Sequence, residues 1–507
     1  MSLIQLHWLP WALPLIPLLA GLAIFTVPEE GRRLRVGLNL GAALVKLGLV
    51  GVMLWAVAVG MTFEVATAWL PGGRDLVLRA DPLALLFLTL SSVLWLFTSL
   101  YAIAYLEGAP HRSRFFGFFS LCVAATAGIA LAGNLLTFFL FYELLTLATW
   151  PLVVHRGTAA ARRAGVVYLR YTLGGGMVLL AGIVLLESAV GTVDFAGPEA
   201  ALAGLAPELY PTVVAAFAML LAGLGVKAGF VPLHGWLPRA MVAPAPVSAL
   251  LHAVAVVKAG AFGVVRVIYD VYGLPLAQAL HLTTVLLVVA AVTILWGSLR
   301  ALMQDELKKR LAFSTISQVA YIALGIAIVG PLATVGGIVH IVHQGLMKIT
   351  LFFGAGNIAE TLGVHRISHM DGVGRRLPWT MAAFTVGALG MIGVPPVAGF
   401  VTKWYLGLGG LEVGLVWIVG LLAISSLLNA AYFLPILYRA WFLPARRELW
   451  HDRGRHGRFE THWLLLLPPL ATAGMALLAG LLAGLDFSPL GWSERIAEGI
   501  YTAGGGG

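Results

Sequence analysis

The sequence predicts an all-α integral membrane protein of about fourteen transmembrane helices, and three observations carry that prediction. Of its 507 residues 60% are hydrophobic and 11% charged, and the mean hydropathy is +0.93. A soluble chain of this length cannot keep its surface wet with so few charges. Apolar runs of about 20 residues, the length that crosses a bilayer, recur from end to end. Finally, Lys and Arg crowd into alternate gaps between the runs, as loops on one side of a membrane do.

In chain order the runs fall at 9–27, 36–60, 82–105, 114–132, 134–153, 164–190, 211–231, 245–269, 276–298, 311–330, 332–356, 378–407, 411–438 and 462–485. Most gaps hold charges, Pro or Gly, which a lipid-facing segment does not carry by accident. Arg32 closes the first run, Arg112 separates the third from the fourth, and Arg156 the fifth from the sixth. Arg239, Lys308, Arg366 and Arg446 mark the gaps after runs 7, 9, 11 and 13. These odd-numbered gaps hold 22 of the 32 basic residues, and the opposite side holds Arg74, Arg79 and Arg495. The remaining basic residues, Lys46, Arg170, Lys227, Lys258, Arg266, Lys348 and Lys403, lie inside runs. The asymmetry predicts a cytoplasmic (inner) membrane protein with both termini on the non-cytoplasmic side. The net charge of +9 is then topological, and no nucleic-acid partner is expected. No Lys or Arg precedes Arg32, so the first run is expected to stay in the mature protein.

An internal repeat organises the runs. Ala-Gly-Phe-Val occurs at 228–231 in run 7 and at 398–401 in run 12. The offset is five runs, and an odd number turns the second copy upside down. The predicted units are runs 4–8 and 9–13 in inverted orientation, which divides the chain into 1–113, 114–270, 271–440 and 441–507. Runs 7 and 12 also carry helix breakers, Gly229 and Pro232 in one, Pro395, Pro396 and Gly399 in the other. Paired broken helices in matching halves point to a transport site near the membrane midplane.

Charges inside the runs are the candidate site. Glu143 lies mid-run among apolar and aromatic neighbours, and runs 6, 7 and 8 offer Arg170, Lys227 and Lys258 as partners. Two readings stand: a structural ion pair, or a proton carrier whose protonation follows a neighbour's charge. Lysine suits a relay because it gives up its proton on burial, whereas arginine keeps it. Lys227 and Lys403 sit in the broken runs and Lys258 mid-run; snorkelling to the interface accounts for Lys46 and fits Lys403 as an alternative. His340 and His343 share a helix face with Lys348 beyond them, and His252 precedes Lys258 by six residues. That His, His, Lys series reads as auxiliary relay positions.

Other chemistry is not expected. The single Cys122 rules out a disulfide framework or a self-contained iron–sulfur cluster. There is no His-Glu-x-x-His and no carboxylate beside the histidine pair, so no metal is expected. Gly174-Gly-Gly176 and Gly407-Leu-Gly-Gly410 lack the strand and acidic residue of a dinucleotide fold. They read as close helix packing, and no flavin, nicotinamide or ATP cofactor is expected.

Five stretches resemble a known family: Gly225-Val-Lys-Ala-Gly-Phe-Val-Pro-Leu-His-Gly-Trp-Leu-Pro-Arg-Ala-Met241; Ala243-Pro-Ala-Pro-Val-Ser-Ala-Leu-Leu-His-Ala253 with Val257-Lys-Ala-Gly260; Gln304-Asp-Glu-Leu-Lys-Lys-Arg-Leu-Ala-Phe-Ser-Thr-Ile-Ser-Gln318; His340-Ile-Val-His-Gln-Gly-Leu-Met-Lys348; and Gly393-Val-Pro-Pro-Val-Ala-Gly-Phe-Val-Thr-Lys403. They are similar to the antiporter-like membrane subunits shared by respiratory complex I and Mrp-type cation/proton antiporters. The resemblance covers about residues 80–440. It implies inverted five-helix repeats, a central hydrophilic axis, and proton-path positions at Glu143, Lys227, Lys258 and Lys403. Lys403, where some members carry Glu, looks like the Mrp D type and some complex I subunits, and less like the complex I M type; Arg375–Phe384 also looks Mrp D-like. His343-Gln344 departs from the family's His-Ala. The resemblance implies other membrane subunits as partners, with protons, alone or together with Na+ or K+, as cargo. Three parent assemblies fit: a monovalent cation/proton antiporter, the pump arm of an NADH-quinone oxidoreductase or membrane-bound hydrogenase, and a proton-conducting partner of a soluble enzyme such as an inorganic-carbon uptake system.

Overall fold

The computed structural model describes residues 8–70, 74–195, 202, 204–454 and 458–503. The two chain ends and Arg455 of the basic loops lie outside them. In chain order the elements are α1 (Leu9–Phe25), α2 (Arg32–Ala58), β1 (Phe63–Leu70), β2 (Arg74–Ala80), α3 (Pro82–Tyr105), α4 (Arg112–Leu131), α5 (Leu135–Val153), α6 (Ala159–Val190) and α7 (Tyr210–Ala228). There follow α8 (Ala245–Ala249), α9 (Val256–Arg266), α10 (Leu274–Ala279), α11 (Leu282–Leu302), α12 (Leu307–Ala327), α13 (Pro331–Leu362) and α14 (Val373–Arg376). The last are α15 (Pro378–Ile392), α16 (Ala398–Glu412), α17 (Trp417–Phe442), α18 (Trp463–Leu481) and α19 (Pro489–Ala503).

Each of the fourteen apolar runs is helical. Among the described residues twelve helical segments are long and apolar enough to cross a membrane. The other two positions are the 17-residue α1 and run 12, which splits into α15 and α16. Burial sorts the helices. The run-8 segment, α12 and α13 are wholly enclosed, whereas α2 and α11 stand at the edge. On α11 the exposed apolar residues are Val285, Val288, Val292, Trp296 and Leu299, a three-to-four spacing that makes one lipid-facing stripe. The packing is inside-out relative to a soluble bundle: the most polar helices sit at the centre.

Helix ends follow local chemistry. Asp81 caps α3 by accepting from the Ala84 N–H at 2.7 Å, and Asn134 caps α5 by accepting from Thr137 at 2.8 Å. Gly229 (φ 77°) and Gly393 (φ 96°) end α7 and α15 in the left-handed conformation that glycine tolerates. Gly393 was not among the predicted breakers. Gly399, predicted as a break, is instead the second residue of α16; a Cβ there would strike the Gly390 carbonyl. The two Ala-Gly-Phe-Val copies therefore sit differently on their breaks: 228–231 spans the end of α7 at Gly229, whereas 398–401 follows its break as the first four residues of α16.

Three features lie beyond the predicted architecture. A two-stranded hairpin pairs Phe63 with Ala80 through Leu70 with Arg74. It is pinned to the α4–α5 turn by Gly133 N–H donating to Val77 O (2.8 Å) and Val77 N–H to the Thr137 hydroxyl (3.0 Å). Run 8 is a third interrupted helix: α8 leads into a widened turn at Leu250–Val254, and Ala255 (φ −110°, ψ −76°) separates it from α9. Lastly, α19 lies against α3 and α13, with Trp492 donating to the Pro82 carbonyl at 2.8 Å.

Candidate functional site

Glu143 and Lys227 form the first cluster. Lys227 is fully buried and its Nζ lies 3.8 Å from Glu143 Oε1. The ammonium also donates to the Tyr142 carbonyl and stands 3.3 Å from the Tyr142 ring centroid, a cation–π seat. Tyr142 is held in turn by its hydroxyl donating to Gly223 O at 3.2 Å. Room for the carboxylate comes from Gly176 on α6: a Cβ there would lie 2.7 Å from Glu143 Cδ. The glycine triplet thus does two things, because Gly175 packs against Val226 of α7 while Gly176 makes space for the charge. Arg170, offered by the sequence as a partner, is exposed instead.

Lys258 and His252 come next. Gly260 of α9 packs so closely on α7 that a Cβ would sit 2.7 Å from Leu224 O, so the helix that carries Lys258 crosses the one that carries Lys227. Lys258 is fully buried, and among the described residues its Nζ has no hydrogen-bond partner. His252 lies in the widened turn, stacked on Phe352 at 4.6 Å, with neither ring nitrogen bonded among the described residues. Widened helical turns concentrate at functional sites.

The α13 residues and Lys403 make the third cluster. His340 donates through Nε2 to Gln318 O at 3.0 Å when that nitrogen carries the proton, and His343 Nδ1 is hydrogen-bonded to the Thr402 hydroxyl at 3.0 Å. Lys348 donates to Ser314 Oγ at 2.6 Å. From there the bonds run on: Ser314 to Tyr432 Oη at 2.9 Å, Tyr432 to Asn429 Oδ1 at 2.5 Å, and Asn429 Nδ2 to Met391 O at 2.9 Å. Lys403 closes the chain on the same Met391 carbonyl at 3.2 Å, and also donates to Ile392 O (2.6 Å) and Ser426 Oγ (2.8 Å). Lys348 and Lys403 are thereby joined by one unbroken string of hydrogen bonds. Lys403 does not snorkel: its ammonium turns onto carbonyls freed where α15 ends, over Gly393, whose Cβ would lie 2.8 Å from the lysine Cδ.

Sequence reasoning missed Ser314, Tyr432, Asn429, Thr402 and Gln318, which are neutral and common in apolar runs. Asn429 and Gln318 carried a signal, each being an amide inside an apolar run. Lys46, assigned to snorkelling, is fully buried, which corrects that reading. Gln344, the departure from the family pattern, is buried with neither amide atom bonded among the described residues. Among the described residues no three His, Cys, Asp or Glu side chains gather where an ion could sit.

Residues 132–429 match the model of the family described as NADH:quinone oxidoreductase/Mrp antiporter, transmembrane. The chain belongs to this family. It is an antiporter-like membrane subunit of the kind that Mrp and complex I-type assemblies share. It is similar to NADH-quinone oxidoreductase subunit N of Desulforudis audaxviator, 36% identical over 85% of this chain and 86% of that one. It is also similar to the D-type subunit of the Na(+)/H(+) antiporter of Bacillus subtilis, 26% identical over 84% and 86%. In fold it matches a chain of the Mrp complex from Dietzia sp. DQ12-45-1b, with a TM-score of 0.85 at 24% identity over 99% of this chain and 98% of that one.

Proposed function

We propose that this family member moves protons along a buried axis running from Glu143–Lys227 through Lys258 to the α13 histidines, Lys348 and Lys403. The observation that carries the reading is the hydrogen-bonded string from Lys348 to Lys403. A structural salt bridge needs no such continuation. In this scheme, loading or emptying Glu143 changes the field at Lys227, and each lysine reports its charge to the next. Hydroxyls of Ser314 and Tyr432 relay protons, whereas the Asn429 amide and the Met391 carbonyl only hold Tyr432 and Lys403 in place, so water completes the step to Lys403. Lys258, without a fixed partner among the described residues, likewise exchanges through water. His252, His340 and His343 are auxiliary positions on this path. Broken helix 12 sets Lys403 on the carbonyls freed where α15 ends, and broken helix 7 sets Lys227 against Glu143; paired breaks of this kind are expected of inverted repeats over runs 4–8 and 9–13. We place the basic loops in the cytoplasm and both chain ends on the opposite face of the inner membrane.

The chain acts within a hetero-oligomer of membrane subunits, and two parent assemblies are supported by different observations. The Arg375–Phe384 segment looks like the D-type subunit of a cation/proton antiporter, with Na+ or K+ as the exchanged ion. Sequence identity, 36% against 26%, favours the proton-pumping arm of a redox complex. Gentle extraction followed by partner mass spectrometry and an absorption spectrum separates them: flavin or iron–sulfur absorbance belongs to the second alone. The relay itself is tested by Glu143→Gln. Proton transport by the reconstituted complex should be abolished with the subunit still assembled; full transport would remove the pair from the path.

A further inference from the structure

Lys46 lies about midway along α2, and its surroundings are not those of a structural lysine. It is some ~18 Å from either end of the helix at 1.5 Å per residue, far beyond the reach of four methylenes to an interface. Its Nζ is buried with no hydrogen-bond partner among the described residues and stands 5.6 Å over the Trp95 ring of α3. Among the described residues no counter-charge faces it from the helices packed against α2, chiefly α1, α3 and α4. Helix α1 has no ionisable side chain. On α3 the ionisable groups are Tyr101, bonded to Phe353 O (3.1 Å), and Tyr105, bonded to Arg156 (3.4 Å). On α4 they are Arg112 with Glu29, Arg114 with His155 O, and Cys122 with Thr149.

Two neighbours share the defect. Asn39 accepts from Ser99 Oγ at 2.9 Å but leaves its Nδ2 unbonded, and Trp95 Nε1 has no acceptor among the described residues. Arg35, Asn39 and Lys46 fall within about 40° of one another on the helix, so one face of α2 is polar from its basic-loop end to its middle. Arg35, itself buried, stands at the basic-loop end of this face, donating to Ser113 Oγ at 3.0 Å and to the Glu29 carbonyl at 3.3 Å. Small Ala43 stands between Asn39 and Lys46, and past Lys46 the buried face turns apolar with Val50, Met53 and Ala56. Three buried donors without acceptors require an occupant that accepts, since each unmet donor otherwise costs about 1–3 kcal/mol. The hydroxyls of Ser92 and Ser99 on α3 offer lone pairs, so the occupant also donates. Water does both and an anion does not.

We propose that Lys46 is the inner end of a second, water-filled half-channel, opening at the face of the basic loops and running between α2 and α3. It is a proton-binding site outside the helices that carry Glu143 and the other lysines. Its use in transport rests on the proton-translocation reading; its hydration does not. Helix α3 is the wall between the two, since its Leu90 touches Gly345 of α13 between His343 and Lys348.

The test labels the complex in lipid nanodiscs with hydroxyl radicals made from water by X-rays, then maps oxidation by mass spectrometry. Trp95 should be oxidised although buried, while Trp236, equally buried but bonded to Val226 O at 2.7 Å, stays unmodified. Lys46→Met should suppress the Trp95 label and lower proton flux roughly a hundredfold, and Asn39→Leu should do the same without touching the lysine. An unlabelled Trp95 in the wild type overturns the channel. A labelled Trp95 with normal flux in Lys46→Met overturns the proton-binding role. If instead Glu143→Gln leaves flux intact, the central axis fails while the Trp95 label still stands or falls by itself.

Discussion

At the scale of single residues, what makes this chain unusual is how glycine is used to house charge. Gly176 and Gly393 leave the volumes into which Glu143 and Lys403 fit, and neither position declares this in a one-dimensional reading. Gly176→Ala should therefore displace the carboxylate, cost about 1–3 kcal/mol through overpacking, and cut proton flux with the subunit still in the complex. A flux assay paired with a thermal melt checks both parts. If flux survives while stability falls, the glycine serves packing alone. The charged residues themselves were legible because a charge in an apolar run is conspicuous and costly. Their neutral partners were not: Ser314, Thr402 and Tyr432 are ordinary in membrane helices, and only the fold brings them to Lys348 and His343. Tyr432→Phe removes the hydroxyl joining Ser314 to Asn429. We expect about 1–3 kcal/mol of destabilisation from the Asn429 oxygen left unpaired. Transport should slow with assembly unchanged, as measured by flux in proteoliposomes and native gels.

Among the elements, the helices were readable because each repeats the same physical demand, some twenty apolar residues between breakers. The hairpin was not, because β1 and β2 are short and their charges, Glu64 and Arg79 on paired strands, look like an ordinary polar gap. The interruption of run 8 at Ala255 carries no Pro or Gly signal at all; it reflects how α8 must bend to pack against α13 and α3. Helix α19 lay hidden in a segment too polar to span. Loops on the basic face hold together by ion pairs instead. Arg376 clamps Asp452 with two bonds of 2.7 Å, and its guanidinium holds that carboxyl below the usual carboxylate range. A depressed carboxyl stabilises the loop fully above the unfolded value, about 4, and loses that contribution as the pH falls through its folded value. Amide protection at Gly454, whose N–H donates to Asp452 at 2.9 Å, should therefore drop on acidification below about pH 4. Asp452→Asn should remove the pH dependence; protection unchanged in acid would mean the clamp is incidental.

Viewed as a whole molecule, the chain is a bundle whose polar residues are innermost and whose apolar residues meet lipid on the outside. Enclosing the run-8 segment, α12 and α13 completely keeps Lys258, the histidines and Lys348 from bulk water while leaving their neighbours free to bond them. The charges of the proposed axis stand out in the sequence; the hydrogen bonds that join Lys348 to Lys403 do not, since a string of bonds is a property of packing. On the proposed path Glu143 and Lys403 stand at opposite ends of a single series. The most direct test compares proton flux in proteoliposomes holding the complex with Glu143→Gln, Lys403→Met, or both. A path in series predicts that each single change abolishes flux and that the double variant is no worse than either one. Full flux in Lys403→Met beside a dead Glu143→Gln, or partial losses that simply add, would contradict it.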